Sequence, residues 1–342
     1  MATAKKLVVV IGATGNQGGS VARRFLADPS YSVRALTRNP ASPAALALTA
    51  LGADVVAADL DDPASLRSAF AGANAIFSVT QYWEPFFRPD CRAAAAAQGI
   101  SCRRYAYDVE VRQGRNIADA AAAVADGLDE NGFWVSTLSS ARECSGGRMT
   151  EVYHFDGKAD VFPRYVDETW PALARKMSCV HTGYFMTSWG ILPGSYLNKQ
   201  ADGSYQMRFP TRPDRVVPHL DVGADMGNFV YAVSKMPPGK AYMCAGTFAG
   251  FEEYIRLWGE RNGVKTSYKQ VTFDDMVADA GPGQDDLGIE VAHMYAYADD
   301  PGYDGGMDLL TAEDLRAAGI DCPMTTLKEW IGKQDWSGFL SK

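Results

Sequence analysis

The sequence predicts a doubly wound α/β fold, with helices on both faces of a parallel sheet and a smaller, mixed α/β subdomain towards the carboxyl end. Three observations predict it. Apolar runs rich in Val, Ile and Phe alternate with stretches of helical spacing through the first half, as in a parallel sheet joined by crossover helices. The first run, Leu7-Val8-Val9-Val10-Ile11, shows no polar alternation, which suits a strand buried on both faces. It passes directly into Gly12-Ala13-Thr14-Gly15-Asn16-Gln17-Gly18 and then into a helical pattern carrying Val21, Ala22, Phe25 and Leu26.

Strand, Gly-x-x-Gly-x-x-Gly turn and helix sets free backbone N–H groups and the positive end of a helix against a pyrophosphate. In that arrangement Gly12 permits the tight turn, Gly15 lets the backbone approach the phosphates, and Gly18 lets the helix lie close on the strand. Glycine spacing alone also describes an ordinary βα loop. The flanking strand and helix turn it into a dinucleotide site of the Rossmann type.

The second strand is expected at 32–37, and the residue just past it selects the dinucleotide. An acid there would accept bonds from the adenosine ribose of NAD, whereas an arginine accommodates the 2′-phosphate of NADP. Thr37 is followed by Arg38, and after it no Asp or Glu occurs until Asp54. A guanidinium matches a phosphate in geometry and charge, so the expected cofactor is NADP(H); the plain alternative is a solvated surface arginine.

A third strand is read at 53–60, with Asp59 and Leu60 at its carboxyl end. Adenine contact and an ordinary loop acid are both open for Asp59. Asp61-Asp62-Pro63 reads as a cap for a helix through Phe70. The fourth strand, 75–80, runs into Gln81-Tyr82-Trp83-Glu84. Ligands rest beyond the carboxyl ends of such strands, so Thr80, Gln81 and Trp83 border the cofactor, with core packing as the rival role for Trp83. Residues 86–109 read as an insertion at the sheet rim, helical over 92–98 and without clear period over 101–108. A helix over 111–125 leads to a fifth strand at 132–138, and a sixth is placed at 178–182.

Beyond residue 185 the alternation breaks. Segments 195–210 and 214–222 read as strands with turns, 221–233 as a capped helix, 240–244 as a short strand, and 247–259, 274–280, 287–297, 312–318 and 325–331 as helices. The expected division is a dinucleotide-binding domain over 1–185, with the sheet returning near 214–235, and a partly interleaved substrate-covering subdomain over 186–342.

Bulk properties narrow the function. Across 342 residues, 47% are apolar and 22% charged, and the net charge is −8. That is a globular composition without the basic groove that direct nucleic-acid contact needs. The six cysteines form no CxxC pair, consistent with reduced structural thiols. The four histidines lack ligand spacing, so no metal is expected. Lys5 and Lys6 run straight into a strand, and no apolar run reaches the roughly 20 residues of a membrane span. The expectation is a cytoplasmic protein with no leader and no membrane contact.

The motifs GATGNQGG (12–19), VRALTRNP (33–40), VTQYWE (79–84), QGRNIADAA (113–121), STLSS (136–140), HFDGKADV (154–161) and GYF (183–185) carry a resemblance along essentially the whole chain. On them the protein resembles the NmrA-like family, an atypical branch of the short-chain dehydrogenase/reductase superfamily. The resemblance implies NADP(H) on Thr14, Gly15, Asn16, Gln17, Arg38, Thr80, Gln81, Lys158 and the turn Gly183, Tyr184, Phe185. It also exposes a departure. The superfamily's Tyr-x-x-x-Lys pair is here His154 and Lys158, and Tyr153 lies one residue off, about 100° around a helix.

Lys158 is implied as a ribose ligand. An imidazole is the side chain suited to proton transfer near neutral pH, so His154 is a candidate for that role, or else is a structural histidine. Ser136 or Thr137 occupies the position of the superfamily's substrate-binding hydroxyl, and Tyr184 is an alternative proton donor. His181 reads as core. Three functions follow from the resemblance. One is an NADPH-dependent reductase, or redox-coupled cyclase, acting on a bulky hydrophobic carbonyl or imine of secondary metabolism, polycyclic substrates included. The second is a sensor of NADP(H) that regulates a protein partner such as a transcription factor. The third is a non-redox catalyst with the dinucleotide as a pocket wall.

Overall fold

The computed structural model describes residues 5–340. Seven strands form one parallel sheet: β1 (Lys6–Val10), β2 (Tyr31–Thr37), β3 (Asp54–Ala57), β4 (Ala75–Ser78), β5 (Phe133–Thr137), β6 (Met177–Thr182) and, much later in the chain, Ala241–Cys244. The spatial order is Ala241–Cys244, β6, β5, β4, β1, β2, β3. The chain starts in the middle of the sheet, builds one side through β3 and then returns to the other. The switch point lies between β1 and β4, where a Rossmann-type sheet binds its ligand.

The first three strands each feed a helix whose start is legible. The Asn16–Leu26 helix follows β1 with Gly15 as its N-cap. Ser42 and Asp62 cap the Pro43–Ala50 and Pro63–Phe70 helices, each with proline at the first helical turn. On one face of the sheet Val8, Val10 and Ala35 meet Val21, Ala22 and Phe25 of the first helix, and Phe229 and Val230 of the Val222–Val233 helix. On the other, Val9, Ile11 and Ile76 meet Leu66, Phe70, Ile117 and Ala121. Two small sheets lie in the second half. One holds Tyr184–Phe185, Val217–Leu220 and Thr247–Ala249; the other holds Asn198–Lys199, Tyr205–Phe209 and Thr266–Gln270. They enclose an aromatic core that includes Tyr184, Tyr196, Phe209, Phe251, Trp258 and Tyr295.

Several elements differ from the expectation, among them the return of the sheet, which is Ala241–Cys244 rather than near 214–235, where Val217–Leu220 joins a small separate sheet. Residues 101–108 are not an irregular rim: Cys102–Ala122 is one 21-residue helix, with Ser101 Oγ accepting from the Arg104 N–H at 3.1 Å. The core face of that helix carries Arg103 and Glu110 beside Ala106, Val109 and Ile117; charged residues on the inner stripe masked its period. The stretch expected as helix from residue 247 opens instead with a short strand, Thr247–Ala249, and the helix runs Phe251–Asn262. Thr266–Gln270 was not expected as a strand. It is a polar, largely exposed edge and so lacks apolar alternation.

Candidate functional site

The carboxyl ends of β1, β2, β4 and β5 converge on the 12–18 turn. Gly12 has φ +62°, and a Cβ there would sit 3.0 Å from Val79 Cγ1. A Cβ on Gly18 would lie 2.4 Å from the Gly12 carbonyl oxygen and 2.5 Å from that of Ile11, closer than any side chain tolerates. This near contact between helix and turn is what the third glycine permits. No side chain caps the helix and no acid stands in its first turn, so its N-terminal donors and positive end are left for an anion. Gly12, Thr14, Gly15 and Asn16 are exposed. Gln17 is held against β5, its Oε1 accepting from Ser136 Oγ at 2.7 Å. A cradle that a Cβ would fill, beneath an uncapped helix, fits the diphosphate of a dinucleotide.

Arg38 emerges from β2 with its side chain largely exposed and its Nη1 on Glu84 Oε1 at 3.0 Å. No acid occupies this strand end, so the donor set suits a 2′-phosphate. Asp59 is exposed and its Oδ1 accepts from the Asp61 N–H at 2.9 Å. The Leu60 carbonyl accepts from Asn116 Nδ2 at 2.8 Å. These two positions form a turn pinned to the Cys102–Ala122 helix. Past β4, Thr80 is buried, Gln81 exposed and Trp83 half-buried.

His154 and Lys158 stand one turn apart on the Tyr153–Ala159 helix, and a different buried carboxylate holds each. Lys158 Nζ pairs with Glu110, which also accepts from Thr80 Oγ1 at 2.7 Å. The Glu110 carboxylate reaches this place because residue 157 is glycine; a Cβ there would meet Glu110 Oε2 at 3.0 Å. At the other end, Glu290 Oε1 accepts from the His154 backbone N–H at 2.9 Å and lies 2.6 Å from His154 Nδ1. Glu290 Oε2 accepts from Arg103 Nε at 3.0 Å, and Arg103 in turn reaches Glu151 Oε2 at 3.0 Å. Burial alone would raise the Glu290 carboxyl. The hydrogen bond and charge of His154, with the charge of Arg103, outweigh that and hold it below the usual range. The Tyr82 and Trp83 rings flank the imidazole, with centroids 5.7 and 5.1 Å away.

Other expected residues lie apart from this cluster. The Thr137 hydroxyl is fully buried and donates to the Phe162 carbonyl at 2.7 Å. Tyr184 OH is 2.5 Å from Tyr295 OH inside the aromatic core of the second half. Gly183 lets two strands meet: its N–H donates to the Cys244 carbonyl at 2.9 Å, and a Cβ would lie 3.0 Å from the Pro218 oxygen. Phe185 pairs with Leu220 in the small sheet. His181 is buried in β6 and burial lowers it to about 4, as expected of a core histidine.

Glu110, Glu290 and Arg103 escaped the reading of the sequence. The signal available for Arg103 and Glu110 was their seven-residue spacing, two turns on one helix face. Nothing local to residue 290 points to residue 154. Two surface cavities of about 510 and 390 Å³ lie elsewhere. One sits at the amino ends of the strands, by Lys6, Asn74 and Asn131, and the other among Pro213, Glu253 and Tyr268. Neither contains residues of the cradle or of the His154 cluster.

Comparison with known proteins gives a consistent likeness. The pattern of the NmrA-like family matches residues 4–331. An NmrA-like family domain-containing oxidoreductase of Aspergillus campestris (strain IBT 28561), cpsB, is 27% identical over 353 residues, covering 96% of this chain and 96% of its own. Among solved structures, NmrA, a negative transcriptional regulator, in complex with NADP, superposes with a TM-score of 0.67 at 19% identity, covering 97% of this chain and 95% of that one. The NADPH-dependent quinone oxidoreductase QOR2 of Escherichia coli, complexed with NADPH, superposes with a TM-score of 0.66 at 20% identity, covering 95% and 98%.

Proposed function

Because the chain belongs to the NmrA-like family, we propose that it is an NADP(H)-dependent oxidoreductase that reduces the carbonyl or imine carbon of a bulky hydrophobic substrate. The observation that carries this reading is the adjacency of two features. One is an uncapped glycine cradle with Arg38 beside it; the other is a histidine held by a buried carboxylate one turn from a lysine. The family relative named an oxidoreductase and the NADPH-bound quinone oxidoreductase support it. The reduced nicotinamide supplies a hydride when bound.

The chain's own residues divide the remaining work. The N–H groups of the 12–18 turn, with Thr14, Asn16 and Gln17, take the diphosphate. Arg38 leaves Glu84 for the 2′-phosphate. Lys158 gives one of its three ammonium donors to Glu110, leaving two for ribose hydroxyls. His154 delivers a proton to the substrate heteroatom, and the Tyr82, Trp83 and Phe155 rings keep water from it. A substrate drawn from secondary metabolism suits this aromatic wall.

One observation favours a second reading, that of a sensor: NmrA itself is named a negative transcriptional regulator. Incubation of the purified protein with NADPH and a panel of cyclic imines and ketones separates the two. Loss of NADPH absorbance supports the reductase. Tight NADPH binding with no oxidation across the panel, together with cofactor-dependent capture of a transcription factor, overturns it.

A further inference from the structure

The buried carboxylate that holds His154 has no task of its own in the reduction described above. Glu290 is fully buried on the Asp285–Tyr297 helix, and both of its oxygens are used: Oε1 by two groups of His154, Oε2 by Arg103. Arg103 is itself nearly buried and is clamped at its other end by the Glu151 side chain and, at 2.6 Å, by the Glu151 carbonyl. A neutral Gln or Ser would cap the Tyr153–Ala159 helix without the desolvation cost of two buried ions. The ion network therefore calls for a function beyond capping.

We propose that Glu290, anchored by Arg103, is a positioning residue for His154. It fixes the ring with Nδ1–H inward and Nε2 free, and it stabilises the protonated ring so that Nε2 can donate. The inference rests on the reading of His154 as the proton donor. The geometry supplies each part. Among the described residues Nε2 has no hydrogen-bond partner, while Nδ1 lies 2.6 Å from the carboxylate.

The charges facing the ring come from every element around it. Glu290 and His293 come from the Asp285–Tyr297 helix, Arg103 from Cys102–Ala122, and Glu151 and Tyr153 from the ring's own segment. Tyr82 comes from beyond β4. Lys158 lies one turn on and is neutralised by Glu110. Burial lowers His293 and raises Tyr82 and Tyr153, so all three are neutral near pH 7. Two carboxylates against one guanidinium leave a single negative charge, which an imidazolium balances.

For the reduction to balance, a bound reduced dinucleotide would supply a hydride to the substrate carbon, the C=O or C=N π pair moving onto the heteroatom. The Nε2 proton passes to that atom. The products would be an alcohol or amine, the oxidised dinucleotide and a neutral ring that keeps Nδ1–H on Glu290 and regains its Nε2 proton from solvent once the product has left.

The test combines the pH dependence of kcat/KM with NMR titration of the histidine rings in the full-length protein, the His154 signal being assigned by its loss in His154→Gln. In Glu290→Gln the alkaline limb and the His154 midpoint both move to lower pH by about one unit or more, a tenfold loss of the protonated ring at a fixed higher pH. NADPH affinity stays unchanged, and Glu290→Asp recovers part of the shift. Glu151 is half-exposed, so Glu151→Gln folds even if the first variant does not, and it moves the midpoint the same way by less. A folded Glu290→Gln protein, or failing that Glu151→Gln, whose His154 midpoint does not move overturns the inference. A wild-type protein that oxidises no NADPH, while the midpoint still falls in Glu290→Gln, upholds the positioning and removes only the reductase reading.

Discussion

The two halves of the candidate site are built on opposite plans. The dinucleotide cradle is made of backbone from one short stretch, residues 12–18, and its defining atoms are those that glycine lacks. The proton cluster is made of side chains brought from residues 103, 110, 154, 158 and 290, and its defining feature is charge hidden from water. The first plan tolerates almost no added volume. The second tolerates volume but not an unpaired charge. Substitutions should therefore fail in different ways on the two sides.

The largest effect expected is at the centre of the cluster. His154→Phe keeps the aromatic packing against Tyr82, Trp83 and Phe155 but removes the donor, so turnover should fall by roughly 10²- to 10⁴-fold. NADPH affinity, measured by calorimetry, should not change. A parallel loss of binding would mean that the cradle and the cluster are not separable.

Next in size is a cost in stability. Glu110→Leu leaves the Lys158 ammonium, which is almost out of water, without its counter-charge, and breaking such a pair costs about 3–5 kcal/mol. Urea denaturation should show that loss, and the double variant Glu110→Leu/Lys158→Met should regain most of it. A single variant as stable as the wild type would show that water already reaches the pair.

The cradle side should respond by cofactor identity. Hydrogen bonds to a charged partner contribute about 1.5–3 kcal/mol, so Arg38→Ala should weaken NADPH by roughly tenfold to a hundredfold and leave NADH unchanged. Glu84→Gln, which frees Arg38 from its present partner, should act in the opposite sense. Equal losses for both dinucleotides would place the 2′-phosphate elsewhere.

The same contrast explains what the sequence made legible. The cradle could be read because strand, turn and helix are contiguous and glycine spacing survives in the string of letters. Arg38 followed from the strand before it. The His154–Lys158 departure was visible as a motif, but its meaning was not, because Glu290 lies 136 residues away and only the tertiary fold joins them. Arg103 and Glu110 were obscured for a related reason. Charged residues on a buried helix face break the apolar period, so a regular helix read as an irregular rim. Thr137 shows the limit of analogy by position: it stands at the expected strand end, yet its hydroxyl turns inward to the Phe162 carbonyl.

The smallest expected effect compares two buried carboxylates, one on each side. Asp225 lies behind the cradle on the Val222–Val233 helix, which meets the first helix where the Gly227 N–H donates to Ser20 Oγ at 2.9 Å. Its partners are neutral, the Thr325 N–H at 2.7 Å and hydroxyl at 3.0 Å. Burial outweighs them and pushes Asp225 up to about 6. Between the ordinary carboxylate value of 3.8 and about 6 the folded chain thus holds a proton that the unfolded chain has released. The contribution of Asp225 is fully present below that window, is lost as pH rises through it, and stays lost above it. Glu290, held low by His154 and Arg103, works in the opposite direction, its contribution present at neutral pH and lost in acid. Asp225→Asn should therefore raise the melting temperature at neutral pH by roughly a few degrees and flatten its pH dependence between about 4 and 6. Glu290→Gln should instead lower the melting temperature at neutral pH, with the difference shrinking in acid. If both variants change the pH profile of melting in the same sense, the sign of the neighbouring charge does not separate these two carboxylates.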